Sequence, residues 1–279
     1  MRLYLRTKCQ LLTAAMLIAT LSTSAFATTF INDNFSTFNN GNLVGAPNAG
    51  DGWSQLGASG TLPLQVSGGN VVIPGGQTVD NQDAVKSLGS IVTSTVYMGL
   101  SLTLNSAPPS GASYFVALQE SSGSFANDRV AAIDNAAIPG TYFLESRYTG
   151  QGGNPFVAGT NPLVYGQTYN VVVEAIITPT GVGEGMKLFI NPTNNNEGAQ
   201  TPYLVENATT GFLIPPVGIQ AAIISQFGSA TTHNSGVAFD HVTVADTFAE
   251  AANVPEPSTM ALASIGAVIG YVAMRRRKK

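Results

Sequence analysis

Between its two ends the chain shows almost no helical spacing of apolar residues; its apolar residues recur in steps of two. Over residues 169–177, Tyr169, Val171, Val173, Ala175 and Ile177 fall on one side and Asn170, Val172, Glu174 and Ile176 on the other. That is the period of an extended strand, whose successive side chains point to opposite faces. Residues 113–119 repeat the pattern with Tyr114, Val116 and Leu118 aligned, and in 142–147 Tyr142 and Leu144 oppose Phe143, Glu145 and Arg147, which are expected to share a half-exposed face. Further strands are predicted over 30–35, 62–66, 70–73, 91–104, 130–133, 186–190, 217–225 and 237–244. In the last, Val237 and Phe239 have one parity and Val242 and Val244 the other, which predicts a β-bulge near Asp240 and His241 that returns all four to the core. Many strands separated by Gly, Pro, Asn and Ser clusters, with no helices between them, predict an all-β fold: a two-sheet antiparallel sandwich.

The ends follow other rules. Arg2, Arg6 and Lys8 precede an apolar run over 11–21, and Ala25 and Ala27 put small residues where a signal peptidase requires them. A signal peptide over 1–27, helical in its apolar part and cleaved to leave Thr28 first, is therefore expected. At the other end Val254, Pro255, Glu256 and Pro257 lead into an apolar run over 260–274, and then Arg275, Arg276, Arg277, Lys278 and Lys279. Fifteen residues of helix rise about 22 Å, short of a hydrocarbon core of about 30 Å, so a thin membrane helix extended by its flanks is expected. The basic cluster would hold its end in the cytoplasm and leave the body outside.

This order of Pro-Glu-Pro, short apolar helix and terminal basic cluster resembles the PEP-CTERM sorting signal of Gram-negative bacteria. The resemblance implies recognition by an exosortase, cutting near residues 254–257, passage through the inner membrane and delivery to the cell surface or extracellular matrix.

All sixteen acidic residues lie between Thr28 and Pro257, against only Lys86, Arg129, Arg147 and Lys187 of the basic ones, so the body carries four minus sixteen, a formal −12. With no Lys/Arg cluster to displace counterions, nucleic acid is excluded as a partner. The single cysteine, Cys9, lies in the signal segment. The mature body must therefore stand without disulfides, which a core of this length can support. One sandwich domain is expected over 28–246, followed by a stalk over 247–253 and the sorting tail over 254–279. Three segments of the body, 163–173, 186–192 and 237–244, resemble the concanavalin-A-like or laminin-G-like jelly roll, which implies that fold.

A search for chemistry yields little. Glycosidases need two carboxylates converging on one sugar, and the Glu-x-Asp-x-x-Glu pattern of laminarinase-like enzymes is missing. Asp128 and Asp134 read as isolated turn or surface acids, and Glu145 as the surface partner of Arg147. No Gly-x-Ser-x-Gly elbow occurs, and His233 and His241 lack a nucleophile's context. Ser67-Gly68-Gly69 and Pro74-Gly75-Gly76 read as hairpin turns rather than phosphate loops. No cofactor is expected, although Asn48–Asp51 and 194–198 carry oxygen donors of the type calcium takes. For a sugar the requirement is an aromatic plane with polar neighbours. Trp53, near Asp51 and Gln55, and Tyr148, near Arg147 and Asn154, are the candidate glycan-binding residues. The expectation is a noncatalytic surface or matrix protein, with a carbohydrate-binding module for exopolysaccharide as the first alternative and an atypical glycoside hydrolase as the second.

Overall fold

A computed structural model describes residues 27–56, 63–73, 83–106, 113–120, 128–148, 157–178, 185–207, 218–225 and 236–252. Residues 1–26, where a signal peptide is expected, and the tail from 253 lie outside them. In chain order the strands are β1 (Thr29–Asn34), β2 (Gly41–Asn42), β3 (Ser54–Gln55), β4 (Gln65–Ser67), β5 (Asn70–Ile73), β6 (Ala84–Val92), β7 (Val96–Leu104) and β8 (Ser113–Glu120). They continue as β9 (Asp128–Asp134), β10 (Thr141–Tyr148), β11 (Val157–Ala158), β12 (Leu163–Val164), β13 (Thr168–Ile176), β14 (Gly185–Ile190), β15 (Leu204–Asn207), β16 (Ile219–Ile224) and β17 (Val237–Ala245). One short helix, α1 (Phe248–Ala252), follows.

Two sheets form. Sheet A runs β15-β14-β13-β7-β17-β5-β4-β2, with β1 also beside β17; sheet B runs β11-β10-β9-β8-β16-β6-β3, with β12 beside β10. All the strand pairings described are antiparallel, as the alternation and turn chemistry predicted. The inward faces supply one core, in which Met98, Leu100, Leu102 and Leu104 of β7 meet Leu118 of β8, Leu144 of β10 and Phe239 of β17. The bulge is where the parity break put it: the pairing of β17 with β7 slips between Phe239 and Val242, and Val237, Phe239, Val242 and Val244 are all buried. Ser67, Gly68, Gly69 and Asn70 close a hairpin between β4 and β5, both glycines having positive φ as a tight hairpin turn requires.

The single strand expected over 91–104 is instead the end of β6 and all of β7, in opposite sheets. Thr93 and Ser94 are exposed between buried Val92 and Val96, so the chain turns a corner there from one sheet to the other. The short edge strands β2, β3, β11, β12 and β15, and most of β6, were not predicted. They have too few β-branched residues, or are too short, to register as periodic.

The stalk expected over 247–253 is not extended chain. Phe248–Ala252 is a helical turn rich in alanine, the best helix former, and Thr247 Oγ1 accepts from Glu250 N at 3.5 Å at its start. Its Phe248, Ala251 and Ala252 are buried on the outer face of sheet A against Val172 and Phe189, with half-buried Tyr97 alongside. Phe248 meets the rings of Phe189 and Tyr97 edge-on, with centroids 5.0 and 6.0 Å apart. Gly99 lies directly beneath: a Cβ there would stand 1.7 Å from the Ala251 carbonyl oxygen.

Candidate functional site

Trp53 is not an exposed sugar platform. It is 3% exposed and packed against Phe35, and its Nε1 donates to Asp33 Oδ2 at 2.8 Å. Lys86 Nζ reaches the same carboxylate at 2.7 Å and the Asp51 carbonyl at 2.7 Å. An indole at the mouth of the sandwich buries more apolar area than any neighbour, which explains why the core takes it. Tyr148 and Arg147 enter the β9–β10 ladder opposite Asp128 and Arg129, but their side chains lie outside the described residues. So do His233, Ala25, the sorting residues Val254 to Pro257 and the cluster Arg275 to Lys279.

The expected surface acids also differ. Asp128 points inward and is 1% exposed, while Asp134 stays at the surface and accepts from Tyr165 Oη at 2.7 Å. Glu145 is only 5% exposed rather than half-exposed, because it sits mid-strand on β10 between Ala131 of β9 and Ala158 of β11. The loop donors considered for calcium are engaged in turns. Asn48 binds the backbone of Asn39 and Asn42, Asn194 accepts from Asn196 N, and Asn196 from Gly198 N. Glu197 binds Lys187 and Tyr97. Among the described residues no group of three or more His, Cys, Asp or Glu converges as a metal site would require.

Polar groups and small residues gather on the outer face of sheet B. The registers of β8, β9 and β10 set Tyr114, Ala131 and Glu145 in one row, and Ala117 and Arg129 in the next. Ala117 and Ala131 pack with Tyr114 and Ile223 in a second buried cluster, closed to solvent. The Arg129 guanidinium lies 4.7 Å from the Tyr114 ring centre, a cation–π contact. Burial pushes the Tyr114 hydroxyl up, against the lowering pull of Arg129. Burial also pushes the Glu145 carboxyl up, and among the described residues its Oε2 has no hydrogen-bond partner. On the other side of Tyr114, Asp83 accepts from Ser225 Oγ at 2.5 Å, and both act on the Tyr114 hydroxyl. This face is not legible in the sequence because its row crosses β8, β9 and β10 through residues 114, 131 and 145, far apart along the chain. The one available signal was alanine at outward positions of otherwise β-branched strands.

A second polar feature sits on sheet A, where the neighbour of β17 changes from β5 at residues 237–239 to β1 at 241–245. The bulge falls at this change and holds His241 Nδ1 2.6 Å from Asp240 Oδ1. Asn32, Asn34 and Thr243 complete a pocket of about 260 Å3.

Residues 253–278 match the family model of the PEP-CTERM protein-sorting motif. No curated protein matches the chain. Among solved structures, the chain is similar to SCLam, a non-specific endo-β-1,3(4)-glucanase from family GH16, with TM-score 0.50, 14% identity, and coverage of 80% of this chain and 92% of that one. It is also similar to the CBM2 module of the evolved Dit of Lactobacillus casei BL23 phage J-1, with TM-score 0.43, 13% identity and coverage of 78% and 95%. A third is the native heptameric SAP-like pentraxin of Limulus polyphemus, with TM-score 0.44, 15% identity and coverage of 66% and 79%. At such identities the likeness is one of fold: the body is a jelly-roll sandwich of the concanavalin-A-like kind. The matched motif marks an exported protein, sorted by an exosortase to the surface or the extracellular space.

Proposed function

We propose that this exported protein is a noncatalytic surface or matrix component whose sandwich holds a polysaccharide strand on the outer face of sheet B. What supports this reading is the half-buried Arg129 stacked on Tyr114, next to the Glu145 carboxyl that burial pushes up. A carboxyl offers two oxygens to sugar hydroxyls, and a guanidinium adds donors beside it. The similarity in fold to a glucanase supports a glycan as the ligand class, without identifying it.

Hydrolysis is disfavoured by the spacing of acids on this face. Glu145 on β10 and Asp83 before β6 are separated by β9, β8 and β16, about 19 Å of sheet, whereas acid and nucleophile or base stand about 5–9.5 Å apart. The test is co-sedimentation of the purified protein with insoluble polysaccharide from its own host, read for wild type and for Arg129→Ala, which removes the half-buried cation of this face. Binding lost in the variant and no reducing sugar released by the wild type is the expected result. Release of reducing ends by the wild type, lost in Glu145→Gln, would replace the binder with an enzyme.

A further inference from the structure

We propose that Asp246 is the receiving carboxylate for the chain's own amino terminus: cleavage after Ala27 creates an ammonium at Thr28 that pairs with Asp246 and secures the last helix before the sorting motif. The inference rests on the export reading of the amino-terminal segment and is independent of any ligand on sheet B.

The geometry is reciprocal. Thr28 N donates to Asp246 Oδ1 at 2.9 Å, while Asp246 N donates to the Thr28 carbonyl at 3.1 Å. One residue on, Thr29 pairs with Ala245 of β17, and Thr29 Oγ1 donates to Glu250 Oε2 on α1 at 3.4 Å. The first and the last described residues of the body thus meet beside β1 and β17 of sheet A. In the precursor Thr28 N is a neutral amide. Hydrolysis adds water across the Ala27–Thr28 bond: Ala27 leaves with a carboxylate, and Thr28 keeps a protonated amine on the nitrogen that already faces Asp246. A hydrogen bond from a neutral amide to a carboxylate becomes a contact between two opposite charges, ammonium on carboxylate. The rest of the body, at four basic against sixteen acidic residues, gains a positive charge where two acids stand. Cleavage one residue earlier or later would displace the amine by about 3.5 Å and lose the pair.

The titratable groups that bear on this amine are few. Asp246 follows β17 and Glu250 lies on α1; Tyr97 of β7 stands opposite Ala245, and Asp240 and His241 lie at the other end of the β1–β17 ladder. The amine, with an ordinary pKa of about 8, changes charge in mildly alkaline solution. A folded-state pKa raised by the carboxylate means stability that is full below about pH 8 and lost as pH rises through the raised value.

The experiment uses the exported, purified protein, its amino-terminal sequence, and thermal melting from pH 6 to 10. Four forms are compared: wild type, Asp246→Asn, a glutamine inserted after Ala27, and both changes together. Expected are a Thr28 start in the wild type and a melting temperature at pH 6 about 2 °C above either single variant. The combined variant should be no lower than the singles, and the gap should close towards pH 10. A start other than Thr28, equal melting of wild type and Asp246→Asn at pH 6, or a gap that does not change with pH would each overturn the proposal. Should Asp246→Asn fail to accumulate, the inserted-glutamine form carries the same comparison, because it leaves Asp246 in place.

Discussion

Asp33 and Lys86 join the two sheets of the sandwich: the carboxylate stands on β1 of sheet A, the ammonium on β6 of sheet B, and 2.7 Å separates them. The same carboxylate accepts from Trp53 Nε1, and Lys86 also takes the carbonyl of Asp51. A half-buried charge pair with a third donor is a clasp whose parts depend on one another, because removing one leaves the others unsatisfied in a poorly solvated place.

Asp33→Ala should therefore cost about 3 kcal/mol, more than an exposed ion pair, since it strands both Lys86 and the indole N–H. Trp53 is the only tryptophan in the chain and is buried, so its fluorescence reports the transition directly. Denaturant titration of wild type and variant by that signal checks the loss.

Glu145→Gln should stabilise the body at neutral pH and do nothing in strong acid. Burial raises this carboxyl above its usual range. The folded protein therefore bears a cost for ionising it that is missing while both states are protonated and sets in as pH rises through the ordinary carboxylate range and above. Melting curves at pH 3.5 and pH 7 should show the two proteins alike in the first and the variant higher in the second. If Glu145 binds a glycan, the same change weakens binding while raising stability, a pairing common at functional sites.

Gly99→Val should release α1 without unfolding the sandwich. Any side chain at 99 meets the Ala251 carbonyl, so the helix must lift and return Phe248 to water, at about 2–3 kcal/mol. Limited proteolysis should then cut within 247–252 in the variant and spare the wild type.

Much of this fold was legible because strand alternation and core burial obey the same period: Tyr169, Val171, Val173 and Ala175 do face the core together. Whole strands escaped where pairing, not pattern, makes them, as with Val157–Ala158, which exists only by its ladder to Glu145 and Ser146. The site was least legible. Trp53 has the composition of a sugar platform, but whether an indole faces water or core depends on Asp33 and Lys86, which arrive from 20 and 33 residues away. Glu145 and Arg147 share a strand face in sequence, yet burial by neighbouring strands removes the solvent that would make Glu145 an ordinary surface acid. The alanine cluster needs three registers at once, and no single stretch of sequence contains them.

The bulge makes the sharpest demand on the register argument. Between Phe239 and Val242 the strand β17 spends two residues where β7 spends one, since Phe239 pairs with Leu102 and Val242 with Leu100. The extra residue is what brings both Phe239 and Val242 inward. Deleting His241 should restore regular pairing with those side chains still facing the core, so the protein should fold with a loss of only about 1 kcal/mol, mostly from the altered Asn34 pairing at the end of β1. Deleting Val172 from β13, where the ladder to β7 is regular from Thr168 to Ala175, offers no such relief. There a one-residue slip turns Tyr169 and Val171, or else Val173 and Ala175, out of the core. Soluble yield and a cooperative melt by tryptophan fluorescence separate the two outcomes. If the His241 deletion unfolds as completely as the Val172 deletion, the bulge is required for something other than register.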